Sequence, residues 1–305
     1  MAAMHIVVLG DSVAWGQGLT EEQKFYSLVG TKLANGSPPQ LTVLAHSGAI
    51  IGVGVEKNIA PASGEVPASY PTILQQCQAV TTDPQQVDLV LLNGGINDVD
   101  VHFILNPLTD PGDLRDLIVQ YCYRDTSLLL LEVARKFSNP KTRIVFTCYF
   151  PILSQQSEFK LLPAYLLLHG ITVPPFLVPV SDLAFGRPVA NCRQFWTEST
   201  AQFEKAIAEV NAGLGGEPRL FLARAPFEDE NAALAPKAWL WGINWDLSVQ
   251  DPVQNSRHAA CDIYEPDIIQ RQLCYRASVG HPNIMGAEQF ANAICAVLQG
   301  AETTR

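Results

Sequence analysis

Four short polar clusters stand out: Gly10-Asp11-Ser12, Ser47-Gly48-Ala49, Gly94-Gly95-Ile96-Asn97-Asp98 and Gly280-His281-Pro282-Asn283. A serine hydroxyl and an imidazole are the residue types of nucleophilic acyl transfer, in which a base takes the hydroxyl proton and later returns it to a leaving group. Ser12 is the natural nucleophile of this set and His281 the natural general base. Gly48 offers a backbone that a substrate oxygen can approach closely. Each residue also has a structural reading. Ser12 can cap a helix, Gly48 and the Gly94-Gly95 pair can be turn glycines, Asn97 can be a turn residue tolerant of left-handed dihedrals, and His281 can be a surface residue at a helix start.

These clusters need elements to carry them. Short β-branched or Leu-rich runs at about 5–9, 41–45, 87–92, 143–149 and 219–223 read as strands. Segments of helical period alternate with them, near 21–34, 69–80, 112–138, 196–213 and 284–298. The alternation predicts a parallel sheet covered on both faces. Three of the clusters follow strands and the fourth precedes the last helix, so all four can meet outside the carboxyl ends of the strands, where open α/β sheets bind ligands. The rhythm breaks at about 151–195 and about 224–280, two insertions into a single domain spanning 1–305. Insertions of that length are usually lids or binding loops; a helical cap that only covers core is the other reading.

The runs GDSVAWGQG, SGA, GGIND and SVGHPN, in this order and spacing, resemble the four blocks of the SGNH (GDSL) hydrolases. Those proteins are esterases, lipases, lysophospholipases, thioesterases and carbohydrate O-acyl esterases. The resemblance implies a flavodoxin-like three-layer α/β/α sandwich whose five-stranded parallel sheet runs 2-1-3-4-5. It also implies Ser12 and His281 as catalytic pair, and an oxyanion hole made by the backbone N–H groups of Ser12 and Gly48 and the side-chain amide of Asn97. The insertions between about 151 and 275 lie outside the resemblance.

One position departs from the family pattern. Most members carry an aspartate three residues ahead of the histidine, and here that residue is Ser278. The aspartate fixes the imidazole tautomer and stabilises the imidazolium; a neutral acceptor keeps the first role and loses the second. The expectation is a Ser12–His281 dyad oriented by a backbone carbonyl or by the Ser278 hydroxyl, with Asp262, Glu265 and Asp267 as competing acids. Asp11, beside the nucleophile, is expected to fix the turn.

The remaining composition excludes other classes. Acidic residues outnumber basic ones 30 to 20, giving a charge of −10, and no Lys/Arg run exists to neutralise phosphates, so nucleic acid is not an expected partner. The seven cysteines form no CxxC pair and no histidine pair has zinc spacing, so no metal is expected. Cys261 and Cys274 can pair in an oxidising compartment, although reduced thiols are the preferred reading. Gly52-Val53-Gly54 lacks the third glycine of a dinucleotide site, and Ser157-Glu158-Phe159-Lys160 lacks the companion motifs of penicillin-recognising enzymes, so no cofactor is implied. Leu161 to Val180 is uncharged, but Pro163, Gly170, Pro174, Pro175 and Pro179 prevent one spanning helix. The N-terminus shows no basic segment of a secretory signal, so the expectation is a cytoplasmic chain, or a secreted one whose signal was removed. The Leu161–Val180 stretch reads as an acyl-chain tunnel or lid, or as packing, and Trp239, Trp241 and Trp245 as a stacking surface or core. The expected substrate is a neutral carboxylic ester, small-molecule or lipid, with an apolar acyl or alcohol part. The rivals are an acyltransferase or lactone-handling enzyme, and a degenerate binding module.

Overall fold

The computed structural model describes residues 3–34, 37–57, 59, 62–171 and 185–303. In chain order its elements begin with β1 (His5–Leu9), α1 (Ser12–Trp15), a 3₁₀ turn (Glu21–Gln23), α2 (Phe25–Leu33), β2 (Gln40–Val43), α3 (Ile73–Ala79) and β3 (Leu89–Leu92). Then come α4 (Ile96–Val99), α5 (Val101–Leu105), α6 (Pro111–Ile118), a π-helical stretch (Val119–Asp125), α7 (Thr126–Lys136), β4 (Arg143–Thr147) and α8 (Leu162–Leu168). The chain closes with α9 (Arg187–Leu214), β5 (Leu220–Ala223), α10 (Gln254–Tyr264), α11 (Ile268–Tyr275) and α12 (Ile284–Thr303).

The five strands form one parallel sheet in the order β2-β1-β3-β4-β5, the order implied by the resemblance. In register, Val8 of β1 faces Val43 of β2 and Leu91 of β3. Every residue of β3, and Ile6 to Leu9 of β1, is buried, as a sheet covered on both faces requires. Helices α2 and α12 pack together as one layer, and α3, α6, α7 and α9 form the other. Phe290 of α12 meets Phe25 of α2 at 5.7 Å between ring centroids, and Phe203 of α9 meets Phe146 of β4 at 4.7 Å. Each of these fully buried rings contributes about 1.5–3 kcal/mol.

The chain runs outward from β1 to β2 and then returns to the other side of β1 for β3. That reversal opens a crevice at the carboxyl ends of β1 and β3. Ser12 opens α1 directly after β1, Gly48 stands on the turn after β2, and Asn97 lies in α4, which follows β3.

Several elements differ from the sequence expectation. Helix α9 starts at Arg187 rather than near 196, because Pro188 sits in its first turn, where no N–H is needed, and Val189, Cys192 and Phe195 extend its buried face. The segment near 112–138 is interrupted by its π-helical stretch. In the first insertion α8 takes up Leu162–Leu168, followed by Gly170 with φ +72°; residues 172–184 lie outside the described residues. No described helix is long and apolar enough to cross a membrane.

In the second insertion α10 and α11 form a hairpin, and there the reading of reduced thiols is corrected: Cys261 and Cys274 are joined by a disulfide. The short connection between the helices brings their Cα atoms to 5.9 Å, within bridging distance.

Candidate active site

The turn after β1 is built around Gly10. Its φ is +140°, and a Cβ there would lie 2.2 Å from Asn93 Oδ1, so only glycine lets Asn93 approach. Asn93 Oδ1 accepts from Asp11 N (3.2 Å), and Asn93 Nδ2 donates to Asp11 Oδ1 (2.8 Å). The Gln76 amide holds the same turn: Oε1 accepts from Gly10 N at 2.8 Å and Nε2 donates to Gly10 O at 3.0 Å. Asp11 caps α1 by accepting from Val13 N (2.9 Å) and takes a bond from Tyr149 Oη (2.6 Å). Burial raises the Asp11 pKa, against the bonds from Tyr149, Val13 and Asn93. Tyr149 Oη also accepts from Ile96 N (3.1 Å), which ties this turn to the one after β3. All of this fixes the backbone on which Ser12 stands.

His281 is held from the other side. Its N–H donates to Ser278 O (3.0 Å), its carbonyl accepts from Trp241 N (2.8 Å), and Gly280 N donates to Trp241 O (2.8 Å). Leu240 and Pro282 form an antiparallel bridge. Asn283 then caps α12, its Oδ1 accepting from Met285 N (3.0 Å) and Gly286 N (3.2 Å). Trp239 packs edge-on against Phe227, with centroids 5.2 Å apart, and Trp245 is exposed. Trp239 and Trp241 therefore brace the histidine turn, and neither lines the pocket described below.

These two frameworks bring Ser12 Oγ and His281 Nε2 to 2.6 Å. Burial pushes the His281 imidazole down to about 4, against the backbone carbonyls of Ser278, Val279 and Ala277, which favour its protonated form. The ring is thus neutral at ordinary pH. With Nε2 accepting from Ser12, the ring proton resides on Nδ1. That nitrogen is buried and has no partner in hydrogen-bond geometry among the described residues.

Gly48, at φ +78°, presses against the next segment so closely that a Cβ would lie 2.5 Å from Ala68 N. Neither Ser12 N nor Gly48 N donates to an acceptor among the described residues. Asn97 directs one amide proton to Ala49 O (2.9 Å). Asp98, the next residue, accepts from Ile51 N through both oxygens (3.0 and 3.1 Å). Burial pushes Asp98 up to about 7, against the Ile51 bond and with the charges of Asp11 and Asp125 adding to the rise.

Ser12, Gly48, Asn97 and His281 share one pocket of about 280 Å³. Its walls are mostly apolar, with Val101, Phe150, Ile152, Leu168, Leu273 and Val279 among them. Leu168 comes from the first insertion and Leu273 from the disulfide-linked hairpin, so both insertions close over the site. His169 lines the same pocket, and burial pushes it down to about 3, helped by the nearby His281 and His102. Among the described residues, no group of three or more His, Cys, Asp or Glu converges as a metal site requires.

The candidate orienting groups fall in different places. Asp262 is exposed and accepts from Tyr275 Oη. Asp267 caps α11, accepting from Ile269 N and Gln270 N at 2.9 Å. Glu265 lines the pocket without bonding to His281. Ser278 is fully buried, and its hydroxyl donates to Asp251 Oδ2 at 2.7 Å. Sequence reasoning missed Asp251, as it missed Asn93, Gln76, Tyr149 and His169. The only signal pointing toward Asp251 was Ser278, standing where the resemblance in the sequence calls for an acid.

No family model and no curated protein sequence matches the chain. Among solved structures, a lipase from a goat rumen metagenome aligns over 97% of this chain and 97% of its own, with 12% identity and a TM-score of 0.49. The periplasmic domain of a lipopolysaccharide acetyltransferase from Salmonella ser. Paratyphi A aligns over 98% of this chain and 84% of its own, at 13% identity and a TM-score of 0.44. A carbohydrate acetylesterase from Sinorhizobium meliloti aligns over 97% and 99%, at 12% identity and a TM-score of 0.42. At such identities and scores these likenesses carry no conclusion about chemistry, which rests on the geometry of the site.

Proposed function

We propose that the chain is a serine carboxylic-ester hydrolase of the SGNH type, acting on a neutral ester with an apolar acyl or alcohol part. The observation that carries this reading is the 2.6 Å bond between Ser12 Oγ and a buried, neutral His281 Nε2, at a largely apolar pocket. Ser12 Oγ attacks the ester carbonyl carbon while its proton passes to His281 Nε2. The carbonyl oxygen, now an oxyanion, takes bonds from Ser12 N, Gly48 N and the second amide proton of Asn97. When the C–O bond breaks, the alcohol leaves with the proton from Nε2. A water then attacks the acyl-enzyme, Nε2 takes a proton from it, and that proton returns to Ser12 Oγ as the acid departs.

The walls favour an apolar group beside the reacting carbonyl, and a pocket lined with Val101, Phe150, Ile152 and Leu168 supports an acyl chain over a charged one. The Cys261–Cys274 disulfide favours an oxidising compartment over the cytoplasm. Hydrolysis of p-nitrophenyl esters from acetyl to palmitoyl tests the reading, with Ser12→Ala beside the unaltered protein. Turnover that falls by more than about 10⁴ in the variant is the expected result. Turnover retained in Ser12→Ala overturns it, and product formation only in the presence of an added alcohol identifies an acyltransferase instead.

A further inference from the structure

Ser278 stands three residues ahead of His281, where the family resemblance calls for an acid, and its hydroxyl donates to Asp251 Oδ2 (2.7 Å). Asp251 is itself buried and held by an ion pair with Arg257, whose Nη1 donates to Asp251 Oδ1 (3.1 Å) and whose Nη2 donates to Oδ2. The Arg257 side chain is 0% exposed. It also donates from Nε to Tyr275 O (2.9 Å) and from Nη1 to Glu65 Oε2 (3.3 Å). Glu65 in turn accepts from Trp15 Nε1 (3.2 Å) and Gln17 Nε2, both on the turn that carries Ser12. A buried chain of polar contacts therefore runs from the serine turn through Glu65, Arg257 and Asp251 to the histidine turn.

A buried ion pair of this kind is weak support for stability by itself, because desolvation offsets much of the attraction. Its placement is what matters. Ser278 O accepts from His281 N (3.0 Å), so the turn that Asp251 anchors through the Ser278 hydroxyl is the turn that carries the imidazole. Asp251 is paired with Arg257 and makes no bond to the imidazole.

We infer that Asp251 is a positioning residue of the Ser12–His281 pair: through Ser278 it holds the 278–281 turn that carries the imidazole to Ser12 Oγ. The inference rests on the reading of the site given above. It assigns to an ion-paired aspartate in the second insertion, acting through a serine and a turn, the orienting half of the work done elsewhere by a directly bonded acid. The charge-stabilising half is absent, so a carboxylate placed directly beside the ring has room to change the pH response.

Ser278→Ala removes the link and leaves the Asp251–Arg257 pair intact. A hydrogen bond to a charged group of this kind corresponds to a fall of about 10- to 100-fold in kcat with KM unchanged. Turnover is counted per folded molecule, with the folded fraction taken from calorimetry. The second variant, Asp251→Asn combined with Ser278→Asp, moves the carboxylate to position 278, the place that the family resemblance gives the acid. Its expected result is kcat above that of Ser278→Ala and an acid limb of kcat/KM displaced to higher pH, since a facing carboxylate favours the imidazolium. Arg257 and His169 act on the same ring, and Glu265, Arg276 and His102 line its pocket, so each is kept unchanged in both variants.

Wild-type kcat per folded molecule in Ser278→Ala overturns the inference. If Ser278→Ala does not fold, an acid limb in the double variant that stays where the wild type has it overturns it equally, because a merely structural role moves no limb. Ser12→Ala separates the two claims. Turnover retained there overturns the reading of the site and this inference with it, whereas turnover lost there but kept in Ser278→Ala overturns this inference alone.

Discussion

Acidification is the perturbation that the buried imidazole resists. Burial holds His281 down to about 4, whereas a solvated histidine titrates near 6.5. The general base must be neutral to accept the Ser12 proton, so kcat/KM rises with pH through the free-enzyme value of this group and then levels. At pH 5 a group titrating at about 4 is roughly 90% neutral, and one titrating near 6.5 is only about 3% neutral. Relative to the plateau, the two cases differ about 30-fold in kcat/KM at that single pH. The assay is initial-rate hydrolysis of a short-chain ester between about pH 3.5 and about pH 8, with released acid or alcohol quantified by chromatography. Unfolding must be followed alongside. Because the folded values of His281 and His169 lie below the unfolded value, the unfolded chain binds protons first as pH falls, and stability is lost from about 6.5 down through about 4 and 3. For His281 this amounts to about 3 kcal/mol. A midpoint near 6.5, in protein that calorimetry finds folded, would refute the buried and neutral base.

Three further outcomes follow from particular contacts. Asn97→Ala removes the only side-chain donor assigned to the oxyanion and is expected to lower kcat about 100- to 1000-fold with little change in KM, measured by steady-state kinetics. Asp98 is pushed up to about 7 from an unfolded value near 3.8, so the folded state keeps its proton longer and stability falls as pH rises from about 4 to about 7. The cost is about 4 kcal/mol, and Asp98→Asn should lose that slope in denaturant titrations at pH 4, 6 and 8, all approximate set points. Replacing Cys261 and Cys274 with serine opens a closed loop whose ends are 13 residues apart, which costs about 3 kcal/mol on the chain-entropy account. Because Leu273 and Cys274 line the pocket, the same variant should raise KM more than it lowers kcat, and equal KM values would detach the hairpin from substrate binding.

The parts of this molecule that were legible in the sequence are those written locally. The β-branched runs of β1, β3 and β4 are bounded by turn residues, and both faces of the sheet are covered, so their pattern is strong. Ser12 and Asn97 could be located because each follows such a run, and Gly48 because it follows the shorter run of β2. His281 was marked by the Pro-Asn start of α12. Other features depend on long-range contacts that no local pattern encodes. Asp251 meets Ser278 across a separation of 27 residues, and Arg257 meets Glu65 across 192. The pairing of Cys261 with Cys274 depended on α10 and α11 folding back on each other, which composition alone does not signal. The early start of α9 was hidden by Pro188, a residue that reads as a breaker in mid-helix and as a favourable one in a first turn.

The central claim is that Ser12 is a nucleophile activated by His281, and covalent capture tests it most directly. The protein is treated with a fluorophosphonate, digested, and the adduct located by peptide mass spectrometry, with His281→Ala treated in parallel. The account predicts one adduct, on Ser12, formed far more slowly in the His281 variant. An unlabelled Ser12 in folded protein, or an adduct formed equally fast without the imidazole, would contradict it.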